Sequence, residues 1–132
     1  MRTAYERSGI EAEVADFFTD LPDRIADSHL VVSRSGASTV AEVTAIGRPA
    51  IFVPLPNALD QDQLNNARMV ERAGGAVIIQ QLDFTPERVA AELKSLLTDS
   101  DRLGRMAASA RSVGVLDGSE RLAELVIQVA GI

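Results

Sequence analysis

The stretch that most constrains the fold is Leu30-Val31-Val32-Ser33-Arg34-Ser35-Gly36-Ala37-Ser38-Thr39-Val40-Ala41-Glu42. His29 to Ser33 is a compact apolar run suited to a strand buried on both faces, as parallel strands are. Small residues follow, and Thr39-Val40-Ala41-Glu42 then fits a capping box in which Glu42 reaches back to a free N–H. The helix so opened should run to Ile46 and stop at Gly47, with Pro49 beyond it. A strand, a turn of small residues and a helix start present backbone N–H groups to an anion at a helix N-terminus.

The rest of the chain repeats that alternation. Residues 3–8 read as a helix closed by Gly9. Glu11 to Asp16 alternates polar and apolar, the period of a partly exposed strand, and ends at Phe17-Phe18. Thr19 or Asp20 caps a short helix over Pro22 to Ala26. Ala50 to Val53 is a buried strand, and Pro54 to Leu59 a loop. A helix from Gln61 or Asp62 to Ala73, with Asp60 as its cap, ends at Gly74-Gly75. Ala76 to Ile79 is the last strand. Thr85-Pro86 opens a helix whose Val89, Leu93, Leu96 and Leu97 share one face. Another helix covers Asp101 to Arg111. Asp117 to Glu120 caps the final one, with an apolar stripe of Leu122, Leu125, Val126, Val129 and Ala130. Strands alternating with helices through short loops predict an α/β chain: an open, doubly wound parallel sheet with helices on both faces, as in Rossmann-like domains. Ligands of such sheets bind beyond the carboxyl ends of the strands. That rule places Phe17-Phe18, the Ser35 to Thr39 turn and the Pro54 to Gln63 loop on one edge.

Composition narrows the chemistry. The 132 residues are expected to form one domain, large enough to build a core without disulfides. The absence of cysteine removes disulfides, thiolate metal sites and cysteine nucleophiles. The lone histidine, His29, precedes a strand and is assigned no chemistry. A formal charge of −6 disfavours nonspecific binding to nucleic acid or anionic lipid, so a bound phosphate must rely on backbone dipoles. No run of about 18 apolar residues marks a membrane span, and the N-terminus lacks the apolar stretch of a signal peptide, which makes a cytoplasmic location the expectation.

Each candidate site has a structural reading beside its functional one. Ser35-Gly36-Ala37-Ser38-Thr39 is either a phosphate cradle, with Gly36 allowing close approach and hydroxyls adding donors, or a tight turn with ordinary caps. Glu42 is the far member of the capping box or a carboxylate for two sugar hydroxyls. Asp60 to Ala67 gathers carboxylates and amides, suited either to a sugar's hydroxyl and acetamido groups or to a polar helix terminus. Asp60 and Asp62 lack further ligands at a metal-binding spacing, so no metal is expected. Phe17-Phe18 packs into the core or walls a base.

Taken together, Phe17-Phe18-Thr19-Asp20-Leu21, Ser33 to Glu42, Gly47 to Pro54 and Gln63-Leu64-Asn65-Asn66-Ala67 resemble, in order, the C-terminal half of the MurG family. These are peptidoglycan N-acetylglucosaminyltransferases with the two-domain GT-B fold. The resemblance implies that Phe17 and Phe18 form the uracil site, with the Phe18 backbone reading the base. It implies that Ser35, Gly36, Ala37, Ser38 and Thr39 face the diphosphate, that Glu42 binds the ribose hydroxyls, and that Gln63 and Asn66 hold the N-acetylglucosamine. Asp62 stands where the family often has His or Gln. The activity implied is transfer of N-acetylglucosamine from its UDP donor to the 4-hydroxyl of the muramoyl sugar of an undecaprenyl-linked precursor, with inversion and no cofactor. In that reading the chain is the donor-binding half, truncated at its N-terminus and without turnover alone. The acceptor surface and general base then belong to an N-terminal domain, and the full enzyme is peripheral on the cytoplasmic face of the inner membrane without membrane contact through this half. Competing readings are a donor-binding subunit of a two-chain transferase with a membrane-bound partner, another GT-B sugar-nucleotide enzyme such as an epimerase, and a doubly wound scaffold without a ligand.

Overall fold

The computed structural model describes residues 1–56 and 61–131. Helices α1 (Arg2–Arg7) and α2 (Leu21–Asp27) precede strand β1 (Val31–Ser33), helix α3 (Ala37–Ile46) and strand β2 (Ala50–Phe52). Then come α4 (Asp62–Ala73), β3 (Ala76–Ile78), a 3-10 turn at Gln81–Asp83, α5 (Pro86–Leu97), α6 (Ser100–Ser112) and α7 (Gly118–Ala130). Asp60 and Asn57 to Leu59 lie outside the described residues, and with them the expected Asp60 cap and the tip of the Pro54 loop.

The described strands form a parallel sheet in the order β1-β2-β3, with Val31, Ala50 and Ala76 in register at one end and Ser33, Phe52 and Ile78 at the other. The period of two divides the core accordingly. Val31, Ala50, Phe52, Ala76 and Ile78 face one side, with Ile25 of α2, Val40 and Val43 of α3, Ala67 and Val70 of α4 and Ala110 of α6. Ile51, Val77 and Ile79 face the other, packed with Leu93 and Leu96 of α5 and Leu103 and Met106 of α6. Helices therefore cover both faces, as the apolar runs predict. Among the described strands only the central one is closed on both sides, because β2 has a neighbour on each flank. β1 is an edge strand, and Val32 at 44% exposure corrects the expectation of a doubly buried one.

Three further expectations are corrected. Glu11 to Asp16 is not a strand: it runs over the surface, with Val14 half-buried and its carbonyl accepting from Arg2 Nη2 at 2.9 Å. Alternation alone cannot supply the neighbouring ladder that a strand needs. Asp20 and Asp117 hold the N-cap positions of α2 and α7, but neither side chain caps the helix. Their carboxylates instead pair one turn on with Arg24 at 2.8 Å and Arg121 at 2.9 Å. Thr85 does cap α5, accepting from the Arg88 N–H at 3.2 Å. The α5 face holds at Val89, Leu93 and Leu96, whereas Leu97 points outward at 53% exposure. The α7 stripe exists in sequence, yet α7 buries no residue.

Candidate functional site

The site is built where β1 and β2 release the chain into α3 and α4. Gly36, extended at φ −61 and ψ 154, is the N-cap of α3. The helical ladder begins with the Val40 N–H donating to the Gly36 carbonyl at 3.0 Å. The N–H groups of Ala37, Ser38 and Thr39 thus have no helical acceptor, no side chain caps them, and no acidic residue stands in the first turn. This corrects the capping box: Gly36 rather than Thr39 is the N-cap, which puts Glu42 three residues past the position from which a box glutamate reaches back. Among the described residues the half-buried Glu42 carboxylate accepts no hydrogen bond. Ser38 and Glu42 are four residues apart on one face, a rise of about 6 Å along the axis.

Helix α4 starts beside this turn and is tied to it. Ser35 is fully buried, and its hydroxyl donates to the Gln63 carbonyl at 2.6 Å. Asn66 Nδ2 returns a bond to the Ser35 carbonyl at 3.1 Å. Gln63 Oε1 accepts from the Leu55 N–H at 2.9 Å, and its Nε2 would lie 3.9 Å from a Cβ placed on Gly36. The amino end of that carboxamide therefore overlooks the Gly36 turn. Ser35 and Asn66 Nδ2 hold the frame, whereas Ser38 is exposed and Thr39 half-buried at the helix start. Two helix N-termini so placed add their positive ends, each giving an anion typically 0.3 to 1 kcal/mol, or about 2 in a partly buried geometry. They are not equivalent: the first turn of α4 carries the exposed Asp62, whereas that of α3 carries no acid. Of the two termini, that of α3 has the field more favourable to an anion.

Phe17 and Phe18 stand apart from this network. Phe17 is 80% exposed, which corrects its expected place in the core. Phe18 is half-buried under the Arg24 guanidinium, 4.1 Å from the ring centroid. Arg24 in turn binds both Glu13 oxygens at 2.7 Å and Asp20 Oδ1 at 2.8 Å. These bonds hold the Glu13 and Asp20 carboxyls below their ordinary range and raise the guanidinium above its own. The segment is thereby fixed to α2, which packs on α3, but no hydrogen bond joins Phe17 or Phe18 to the turn among the described residues. Residues 11–16 form no strand, so the strand-end rule does not itself place Phe17 at the sheet edge. Among the described residues no three His, Asp or Glu side chains gather into a metal-holding group.

Spacing alone does not single out Arg34. Its guanidinium donates to the Val53 and Pro54 carbonyls at 3.3 and 3.4 Å and to Gln81 Oε1 at 2.7 Å. With Ser33, Val53, Gln81 and Phe84 it lines a cleft of about 340 Å³ beyond the strand ends. A cation directly after a parallel strand is the available signal, since it emerges beside the carbonyls of the next strand's exit.

Comparison with known proteins shows the family and the fold. Residues 1–122 match the family model of the glycosyltransferase family 28 C-terminal domain. The chain is 61% identical over 130 residues to a UDP-N-acetylglucosamine–N-acetylmuramyl-(pentapeptide) pyrophosphoryl-undecaprenol N-acetylglucosamine transferase of Nitrobacter hamburgensis, covering 98% of this chain and 35% of the relative. The like-named protein of Rhodopseudomonas palustris (strain BisA53) is 58% identical over 132 residues, 100% of this chain and 35% of its own length. The chain thus spans about a third of the curated relatives it matches. Among solved structures, Acinetobacter baumannii MurG superposes with a TM-score of 0.81 at 34% identity over 90% of this chain and 34% of that one. The glycotransferase of kitacinnamycin, at 23% identity, a TM-score of 0.61 and coverage of 91% and 32%, shares the fold.

Proposed function

Since the chain belongs to the glycosyltransferase family 28 C-terminal domain family, we propose that it is the donor-binding domain of an inverting GT-B transferase and holds UDP-N-acetylglucosamine across the start of α3. The observation that carries this reading is the α3 terminus itself, uncapped and free of acid in its first turn. In a chain of net charge −6, that terminus supplies the positive field an anion requires. The diphosphate takes the amides of Gly36, Ala37, Ser38 and Thr39 with the outer hydroxyls, while Ser35 orders the turn from within. Glu42, one turn on, accepts from the ribose hydroxyls. Gln63 and Asn66 serve the sugar side, with Asp62 at its rim, and Phe17 and Phe18 serve the uracil.

The reaction that fits is transfer of N-acetylglucosamine to a lipid-linked muramoyl acceptor, the chemistry named in the close relatives. As the glycosidic bond breaks, negative charge grows on the departing UDP. Helix-terminal N–H groups bind that charge more strongly in the transition state than in the ground state, which is the differential needed to raise the rate. In this reading the acceptor and the general base belong to a partner domain or chain, these residues bind donor without turning it over, and the complete enzyme works as a peripheral protein on the cytoplasmic face of the membrane. Among the described residues no helix is long and apolar enough to cross a membrane.

Calorimetric titration with UDP-N-acetylglucosamine, UDP and ADP tests the reading. Both uridine nucleotides should bind, with ADP weaker by about tenfold or more, since a site built for one base edge leaves polar groups unpaired with another. Equal binding of all three, or none by a sample that melts cooperatively, would overturn it.

A further inference from the structure

We infer that Arg34 is a positioning residue for the sugar end of the donor site, acting through the exits of β2 and β3 and not by touching the nucleotide; the inference rests on the donor reading above. Arg34 leaves β1 immediately before the Ser35 turn and reaches sideways along the sheet edge. One nitrogen, Nη1, donates to the carbonyls of Val53 and Pro54, the two residues that follow β2. The other, Nη2, donates to Gln81 Oε1 at 2.7 Å, just past β3. A guanidinium has donors and no acceptor, so the Gln81 carboxamide must present its oxygen, and the planar fork fixes both exits at once. The next residue after Pro54 is Leu55, whose N–H donates to Gln63 Oε1 at 2.9 Å. That bond decides which end of the Gln63 carboxamide overlooks Gly36. A line of hydrogen bonds thus runs from Gln81 through Arg34 and the Val53 to Leu55 backbone to the amide assigned to the sugar. The α3 amides assigned to the diphosphate do not depend on it.

The consequence is a loss confined to the sugar. Gln81→Leu removes the side-chain acceptor of Arg34 at an exposed position, and Gln81→Glu keeps it. In calorimetry on the whole chain, Gln81→Leu and Arg34→Lys should weaken UDP-N-acetylglucosamine by about tenfold while changing UDP by less than about twofold, and Gln81→Glu should retain the sugar's contribution. Combined, Arg34→Lys and Gln81→Leu should cost less than the sum of the two, because they break one connection. Equal weakening of both nucleotides would overturn the inference in favour of direct contact with the diphosphate, and unchanged affinity in folded variants would overturn it outright. If the unaltered chain binds no uridine nucleotide, the donor reading itself fails and the inference with it, an outcome separate from the other two.

Discussion

Glu42→Ala is expected to weaken UDP binding by about tenfold to a hundredfold while moving the melting temperature by no more than about 2 °C. The first effect follows from two charge-assisted hydrogen bonds to the ribose, each worth about 1.5 to 3 kcal/mol before the water that replaces the carboxylate is counted. The second follows from the helix start at Ala37, which leaves Glu42 with no capping bond to lose. Alanine is moreover at least as good a helix former as glutamate, and substitutions outside named packing features stay within about 0.5 kcal/mol. Isothermal calorimetry and a thermal melt on the same samples decide the matter. A fall in melting temperature with unchanged affinity would mean that Glu42 serves the helix alone.

The second large effect concerns how the site's frame is held. Gly75 lies between α4 and β3, and a Cβ there would stand 2.7 Å from the Cα and N of Ala110, backbone atoms of α6 that no rotamer change can clear. Gly75→Ala should therefore destabilise by about 3 kcal/mol, a melting-temperature loss near 10 °C for a domain of this size. Gly104, within α6 itself, faces open space: a Cβ there would meet nothing within 4 Å. Gly104→Ala should stabilise by about 0.5 to 1 kcal/mol through helix propensity alone. Urea denaturation of both variants checks the pair. Equal and small effects would mean that α6 does not press on the α4–β3 junction as closely as the fold requires.

The alternation of strands and helices was legible because apolar runs, caps and glycine stops are local signals. Ala50 to Phe52 reads as buried from composition, Gly47 and Gly74 as left-handed helix ends, and Thr85-Pro86 as a helix start, each within a few residues of itself. What local signals could not carry is the identity of the neighbour. Glu11 to Asp16 has the pattern of a strand and no ladder beside it. Val32 belongs to an apolar run but falls on an edge. Thr39 and Glu42 have the residue types of a capping box, yet the extended Gly36 lets the helix begin before them. The bonds that shape the site join residues distant in sequence: Ser35 to Gln63, Asn66 to Ser35 and Arg34 to Gln81. Resemblance to a known family assigned roles where spacing left alternatives open, and the fold separates the buried frame, Ser35 foremost, from the more exposed residues at the helix start.

If the first turn of α3 receives a diphosphate, the amide resonances of Ala37, Ser38 and Thr39 report on it directly. In a two-dimensional 1H–15N spectrum, titration with UDP should shift all three strongly downfield, because each N–H gains a charged acceptor. Uridine, which lacks the phosphates, should leave them near their free positions. Saturable UDP binding with these three amides unmoved would place the diphosphate elsewhere.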